Sequence, residues 1–589
     1  MGSVLIQTGG GVGINAINGL FSGVKPYDIK AEDLHECRLV GDYAFYEDTN
    51  LKSIEIPIGA FKIGDYAFYN CTSLTDVYIP ATVITIGEYA FYGCSNLQTI
   101  HFGGLQSSWN DIDKDITWDS GAGNYSVVFS EATSGLTFNY VGGGYEVSSG
   151  GNDPEVIIIP DEYNGSPVTE IAYRGFEGTS ANYVVLPPTI NTINGWAFYQ
   201  GSLKSVSIPN SYTRGISIGN YFGSNNLECV AVGNGATSVY DDRPLRILYI
   251  GSGASSININ ATTGTDFHLL INENNQTYTT NKDGYLFSKN KDRLYWVPSS
   301  VTEVSIPRET SAIDILDKYN LKSIEVDPLN QTFESEDGIL YNKGKTTLIR
   351  MPMAYWDYLI GDIHIPDTVT EIAERACSYC AGRFFLPSNL VLIGNSAFYS
   401  AYSTSRQISI PYTVRHIGDS AFANFDGVWE VVMPANVINV GNNAFGESKG
   451  RVLDGFTITL PSGTQESELM KWWEVDFDNE KSNPLTRSNY LYSSVGWSHN
   501  SITQWLNLYN TTITTCKKYT FSGWNGTAIK IPPATTLIQT GFLRNCSNLT
   551  DIYYDNTMAD WGNITKESGW DYNTGNYTVH CSDGDIPKS

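Results

Sequence analysis

Seven histidines and nine cysteines are the side chains of this 589-residue chain best suited to nucleophilic or metal chemistry. The histidines are His35, His101, His268, His364, His416, His499 and His580. None stands in an H-E-x-x-H arrangement, and no group of them has metal-ligand spacing. Cys377-Ser378-Tyr379-Cys380 has C-x-x-C spacing but no second pair. Ile6-Gln7-Thr8-Gly9-Gly10-Gly11-Val12-Gly13 is glycine-rich but lacks the Lys-Ser/Thr that closes a phosphate loop. No G-x-S-x-G elbow is present. Asp111, Asp113 and Asp115 alternate as in a calcium loop, without its glycine and terminal glutamate. No pair among the 62 acidic residues singles itself out as a glycosidase couple. The sequence therefore predicts a protein that is not an enzyme and uses no cofactor or metal.

Charge narrows the partners. Lys and Arg number 36 against 62 Asp and Glu, a net charge of −26. A phosphate-backbone binder needs a basic stripe, so nucleic acid is excluded as a partner. Anionic membrane surfaces are disfavoured for the same reason. No run of 18 apolar residues exists, so no membrane insertion is expected. Residues 1–23 lack the basic and long apolar regions of a secretory leader. The expectation is either a mature fragment or a route other than secretion. With 41% hydrophobic and 13% aromatic residues the chain is too apolar to be disordered.

What positions these residues is a repeat. Val40–Pro57 (VGDYAFYEDTNLKSIEIP), Ile63–Pro80 (IGDYAFYNCTSLTDVYIP) and Ile86–Phe102 (IGEYAFYGCSNLQTIHF) align without gaps. Phe45, Phe68 and Phe91 mark a 23-residue period, and Phe398, Phe422 and Phe445 follow at spacings of 24 and 23. Ile193–Pro209 is another copy, with weaker ones around Phe176, Cys377, Phe521 and Leu543. The L-x-x-I-x-I-P piece alternates in and out as a short strand does. Gly64 and Gly87 are expected to allow a tight bend. One such unit cannot bury its own apolar face, but a stack can.

These units resemble the BspA-type leucine-rich repeat, close to I-G-x-x-A-F-x-x-C-x-x-L-x-x-I-x-I-P. The resemblance implies a β-rich leucine-rich-repeat solenoid. Its parallel β-sheet lies on one face, with loops and short helical turns on the other, in two capped modules. Ala376-Cys377 and Phe542-Leu543 depart from the Ala-Phe of the unit. Cys71, Cys94, Cys380 and Cys546 take the pattern's cysteine position, a small buried slot. Coil spacing of about 4.8 Å leaves Cys71 and Cys94 open either to a bridge or to remaining thiols.

A second duplication marks the caps. Trp109, Trp118 and Gly123-Asn124-Tyr125 match Trp561, Trp570 and Gly575-Asn576-Tyr577 at a constant offset. Both copies follow a repeat directly, as end caps with two tryptophans over the last coil. A tryptophan-lined sugar site is the functional alternative. Residues 1–35 form a separate N-terminal segment, and 36–132 the first module with its cap. Residues 133–463 form a second module, opening on a Gly-rich hairpin cap. Asn274–Pro298 and Asn330–Pro352 elaborate it as hairpins with turns at Asp283-Gly284 and Asp337-Gly338. Residues 464–510 break the pattern as an aromatic-rich insertion, and 511–589 hold terminal repeats and the second cap.

Without catalytic constellations, the surface becomes the candidate. The outward strand positions of the first module carry Glu55, Asp76, Tyr78, Thr99 and His101. Ser207, His364, Ser409 and Lys530 continue the row further along. Tyr and His on a flat sheet suit contact with a protein or glycan. Trp472, Trp473, Trp497 and Trp505 of the insertion are a second candidate, or else its own small core. The insertion is similar to the S-x-I-x-x-W-L-N segments of gut phage and bacterial surface proteins. Residues 1–35 resemble the N-terminal segments of tail-associated proteins in phages of gut bacteria.

The expected function is thus non-enzymatic recognition. The favoured form is a phage virion component, a tail fibre or head decoration, binding a host cell-surface protein or glycan. Residues 1–35 would hold it to virion structural proteins. The alternatives are a secreted or cell-surface bacterial adhesin and a purely structural decoration protein; homo-oligomerisation stays open.

Overall fold

The computed structural model describes residues 28–29, 39–224, 226–259, 267–314, 321–353, 362–403, 405, 407–425, 430–432, 437–445, 456–459, 475–478, 488–492, 513–523 and 526–588. It divides into two compact units, Met1–Ser300 with Ala312–Ile315, and Val301–Ser311 with Leu316–Ser589.

In the first unit each 23-residue repeat makes one coil. The coil contributes a main strand to one ladder and a two-residue strand to another. The main ladder runs Asp28–Ile29, Ser53–Glu55, Asp76–Ile79, Thr99–Phe102 and Ser126–Phe129. Its strands are parallel and in register, with Ile54, Val77, Ile100 and Val127 in one row. The turn ladder runs Leu39–Val40, Lys62–Ile63, Thr85–Ile86 and Asp113–Lys114. The repeat therefore builds the parallel solenoid that the sequence predicts.

The coil interior explains the repeat residue by residue. Phe45, Phe68 and Phe91 stack as a column, with centroids 5.2 and 4.8 Å apart. Between strand and turn, the amides of Tyr43, Phe45 and Glu47 donate to carbonyls of Asp65, Ala67 and Tyr69 in the next coil. That geometry sets Tyr43, Tyr66 and Tyr89 in the left-handed region, at φ 59°, 56° and 52°. Left-handed backbone costs a non-glycine residue roughly 1–2 kcal/mol, which the coil-to-coil bonds and ring stacking offset. Asp42 Oδ1 accepts from the Asp65 amide at 3.0 Å, and Asp65 Oδ1 from the Glu88 amide at 2.9 Å.

The glycines act differently from the expectation. Gly64 and Gly87 are absent from the residues with positive φ. Instead a Cβ on Gly64 would lie 2.6 Å from the Asp42 amide nitrogen. Coils approach each other too closely there for any side chain, and bending is not the reason. The cysteine slot is also more specific than a small apolar hole. Cys71 Sγ donates to the Phe45 carbonyl and Cys94 Sγ to the Phe68 carbonyl, each at 3.1 Å. Neither is in a disulfide, and burial pushes the Cys94 thiol up to about 12.

The rest of the first unit is a second array. A hairpin, Thr137–Tyr140 with Tyr145–Ser148, precedes it. Its main ladder is Val156–Ile158, Tyr183–Val185, Ser205–Ile208, Cys229–Val232, Ile247–Ile250 and His268–Ile271, all parallel.

The second unit uses the same coil. Phe333–Glu336, Ile339–Asn342 and Thr347–Arg350 form an antiparallel meander. Asp337 and Gly338, at φ 51° and 74°, make its two-residue turn, as a type I′ hairpin requires. From Thr347–Arg350 the turn ladder continues in parallel through Glu371–Ile372, Leu392–Ile393, His416–Ile417, Asn439–Val440 and Asp476–Phe477. Ser488–Tyr492 likewise pairs in parallel with Phe456–Thr459. These two pieces of 464–510 extend the ladders. The unit ends on Ala528–Ile531, Asp551–Tyr554 and Thr578–Cys581, closed by antiparallel Gly584–Pro587.

Candidate recognition face

Parallel strands one coil apart place equivalent side chains in straight rows. Glu55, Tyr78, His101 and Val128 form one outward row of the first module. Ser53, Asp76, Thr99 and Ser126 form the neighbouring one. The structure thus brings Glu55, Asp76, Tyr78, Thr99 and His101 together on one sheet face. Tyr78 is 44% exposed, while Ile54, Val77 and Ile100 between the rows are fully buried. The Tyr78 and His101 rings stack at 4.2 Å and 7°, and His101 Nε2 lies 3.8 Å from Asp76 Oδ1. Side chains stand perpendicular to a sheet. Rings stacked along the ladder therefore turn their edges outward, with a hydroxyl and an imidazole nitrogen at the rim. The face offers hydrogen bonds beside carboxylates more than flat aromatic area.

A second such ladder lies at the other end of the chain. Tyr553 stacks on His580 at 4.9 Å, and His580 Nε2 is 2.8 Å from Asp551 Oδ1. Asp585 Oδ1 lies 2.9 Å from the other ring nitrogen. Hydrogen bonds accepted by Asp551 and then by Asp585 raise the His580 imidazole above its ordinary value. The signal was in the sequence: Asp76-Val-Tyr78 with Thr99-Ile-His101 reappears as Asp551-Ile-Tyr553 with Thr578-Val-His580. The outward-row reading missed it. His364 stacks on Phe385 at 4.4 Å in a related way, with Arg383 3.6 Å from Asp362. Trp472, Trp473, Trp497 and Trp505 lie outside the described residues.

The tryptophan duplication forms matching caps. Trp109 and Trp561 sit on six-residue helices, Gln106–Asp111 and Met558–Asn563, and both are buried. Each meets its partner, Trp118 or Trp570, edge-on at 5.9 and 6.3 Å. Lys114 and Lys566 donate to the Trp109 and Trp561 carbonyls and lie over the same rings. Tyr125 and Tyr577 hydroxyls each donate to a carboxylate, Asp119 and Asp571, at 2.6 Å. This is packing over the last coil, not an open sugar platform.

Ser207, placed outward by its strand, is not on the surface. It is 7% exposed, and its hydroxyl donates to the Thr82 carbonyl of the first module at 2.6 Å. A polar cleft of about 490 Å³ opens beside Tyr249, walled by Asp42, Asp65, Glu88, Asp113 and Glu273 with Lys62. Burial, and then Asp42, raise the Asp65 carboxyl. Among the described residues no three or more His, Cys, Asp or Glu gather to hold a metal ion. No helix among them is long and apolar enough to cross a membrane.

The coil, the parallel ladders and the caps define a leucine-rich-repeat solenoid. The family model for the BspA type leucine rich repeat region matches residues 33–116, 157–243, 351–463 and 498–565, more than half of the chain. The chain belongs to that family. Among solved structures it is similar to a leucine-rich repeat protein from Eubacterium ventriosum, at 14% identity and a TM-score of 0.26, over 91% of this chain and 88% of that one. A leucine rich cell surface protein from Faecalibacterium prausnitzii matches at 16% identity and 0.21, over 88% and 91%. The pneumococcal vaccine antigen PcpA matches at 14% identity and 0.29, over 73% and 88%. No curated protein matches the chain.

Proposed function

We propose that the chain is a non-enzymatic recognition protein whose exposed strand rows bind a protein or glycan on a bacterial surface. The observation that carries this reading is the repeated Asp-x-Tyr/Thr-x-His ladder. In the first module the stacked phenol–imidazole pair and its carboxylate close no hairpin, so their exposed position supports contact with a ligand. The pair is held rigid by its own stacking, so little side-chain entropy is lost on binding. The finer reading is a phage virion component, held to the particle through residues 1–35. Its support is the resemblance of that segment to tail-associated proteins.

Two experiments test these levels separately. Tyr78→Ala and His101→Ala, each in the full chain, are expected to lower binding to host cells at least about tenfold, as loss of a binding hot spot does. Unchanged cell binding removes this face from the reading. Imaging of purified particles with a label on the chain is expected to show it on the virion. Label found only on the bacterial envelope assigns it to the adhesin alternative.

A further inference from the structure

The second array of the first unit has a sheet face that does not look outward at all. Along Ser205–Ile208, Cys229–Val232 and Ile247–Ile250 all four positions of each strand are buried. The inward residues, among them Val206, Val230 and Leu248, join that array's own core. The outward ones do not. Cys229, Ala231, Ile247 and Tyr249 pack into the core of the first module instead. Tyr249 meets Phe61 at 5.1 Å. Small residues fill the rest of the covered face: Ser205, Cys229 and Ala231 are each at most 1% exposed.

Polar bonds fix the register of this contact. Besides Ser207 to Thr82, the Asn210 side chain donates to the Ile84 and Asp111 carbonyls at 2.8 Å. Asp111 accepts from the Asn210 amide at 2.7 Å. Asn234 Nδ2 donates to Asp113 Oδ2 at 2.7 Å. Asp111 and Asp113 belong to the first cap, where the second cap has Asn563 and Thr565. The carboxylates therefore serve the docking and not the capping. An apolar centre of small residues with charge-assisted bonds at its rim is the anatomy of a protein interface.

We infer that the outward sheet face of residues 205–250 is a protein-recognition surface, occupied in cis by the turn edge of the chain's own first module. The docked module closes that face to other proteins and leaves the Tyr78–His101 ladder as the ligand-facing side of the unit. The short connection between the two modules keeps the docking partner at high effective concentration, so the closed form is the resting one. This contact stands whether or not the Tyr78–His101 ladder binds a ligand.

Cys229 is a native reporter of the closed form. It is a reduced, buried thiol on the covered side. Cys71 and Cys94 lie inside the coils and react only when coils unfold. The test is the rate of maleimide labelling at each cysteine of the full chain, read by mass spectrometry. Asn234→Asp sets a second carboxylate against Asp113 while keeping the side-chain oxygen that accepts the Ser252 amide at 2.9 Å. It is expected to speed Cys229 labelling roughly tenfold, the size of one charge-assisted contact. Cys71 and Cys94 are expected not to change. Adding Asp113→Asn, which swaps donor and acceptor, is expected to restore protection.

Three results would overturn the inference. Cys229 in the unaltered chain could label as fast as half-buried Cys581, so that nothing covers it. Asn234→Asp could leave Cys229 protected or open it only together with Cys71 and Cys94, so that no separable contact exists. The second substitution could fail to rescue, so that the Asn234–Asp113 bond does not hold the modules together.

Discussion

At Asp241 burial and charge conflict. It is fully buried. Its Oδ1 accepts from the Arg243 amide, yet its Oδ2 has no hydrogen-bond partner. Burial pushes the carboxyl up to about 7, against the Arg243 amide bond that lowers it. The folded state therefore holds the proton more tightly than the unfolded chain, whose carboxyl titrates near 3.9. Its stabilising effect is complete below about pH 4 and lost as pH rises to about 7. Asp241→Asn should leave the melting temperature near pH 4 little changed and raise it at pH 8 by about 2 °C or more. Glycine makes a second residue-level prediction. A Cβ on Gly64 would meet Asp42 Oδ1 at 2.4 Å, while one on Gly135 meets nothing within 4 Å. Gly64→Ala should cost about 1–3 kcal/mol by overpacking, more than Gly135→Ala, whose φ of 81° alone is strained. Urea midpoints of the two variants decide it. The sequence showed that Gly64 is required and mistook why, because close approach between coils is invisible along one coil.

Strands and hairpins show where periodicity informs and where it misleads. Alternation placed Glu55, Tyr78 and His101 on one face, and they are there. Ser207 was placed outward by the same rule and is covered. The warning was legible in the neighbouring strands. Cys-Val-Ala-Val at 229–232 and Ile-Leu-Tyr-Ile at 247–250 are unbroken apolar runs, the pattern of strands buried on both faces. What covers them was not legible, since the docking residues lie about a hundred positions away. The terminal hairpin supplies the element-scale prediction. His580 ties Thr578–Cys581 to Asp551 of the preceding coil and to Asp585 of the closing strand. Both bonds favour the imidazolium, so its folded value is raised. The added stability is complete below the unfolded value near 6.5 and disappears as pH rises through the raised folded one. Amide exchange in 578–587, corrected for its intrinsic pH dependence, should accelerate as pH rises above about 6.5. His580→Gln should remove that dependence, and an unchanged profile would mean that the two carboxylates do not latch the hairpin.

For the whole molecule the period mattered more than any single residue. Length alone suggests several globular domains, whereas a 23-residue repeat makes coils that contact their neighbours in sequence. Stability in such an array is a sum of coil and interface terms, so damage stays local and ends matter most. Trp561 covers the last coils of the second unit, packed on Tyr554 at 5.4 Å and on Trp570. Trp561→Ala removes about 3–5 kcal/mol of packing at an end, where no further coil compensates. Protection against hydrogen exchange should fall most in the coils of 513–588 and progressively less toward 371–445. Residues 39–129, which carry their own cap at Trp109, should keep theirs. Trp109→Ala should weaken 39–129 in turn. If Trp561→Ala instead lowered protection uniformly across the chain, the coils would fold as one cooperative block, and the caps would not be local devices.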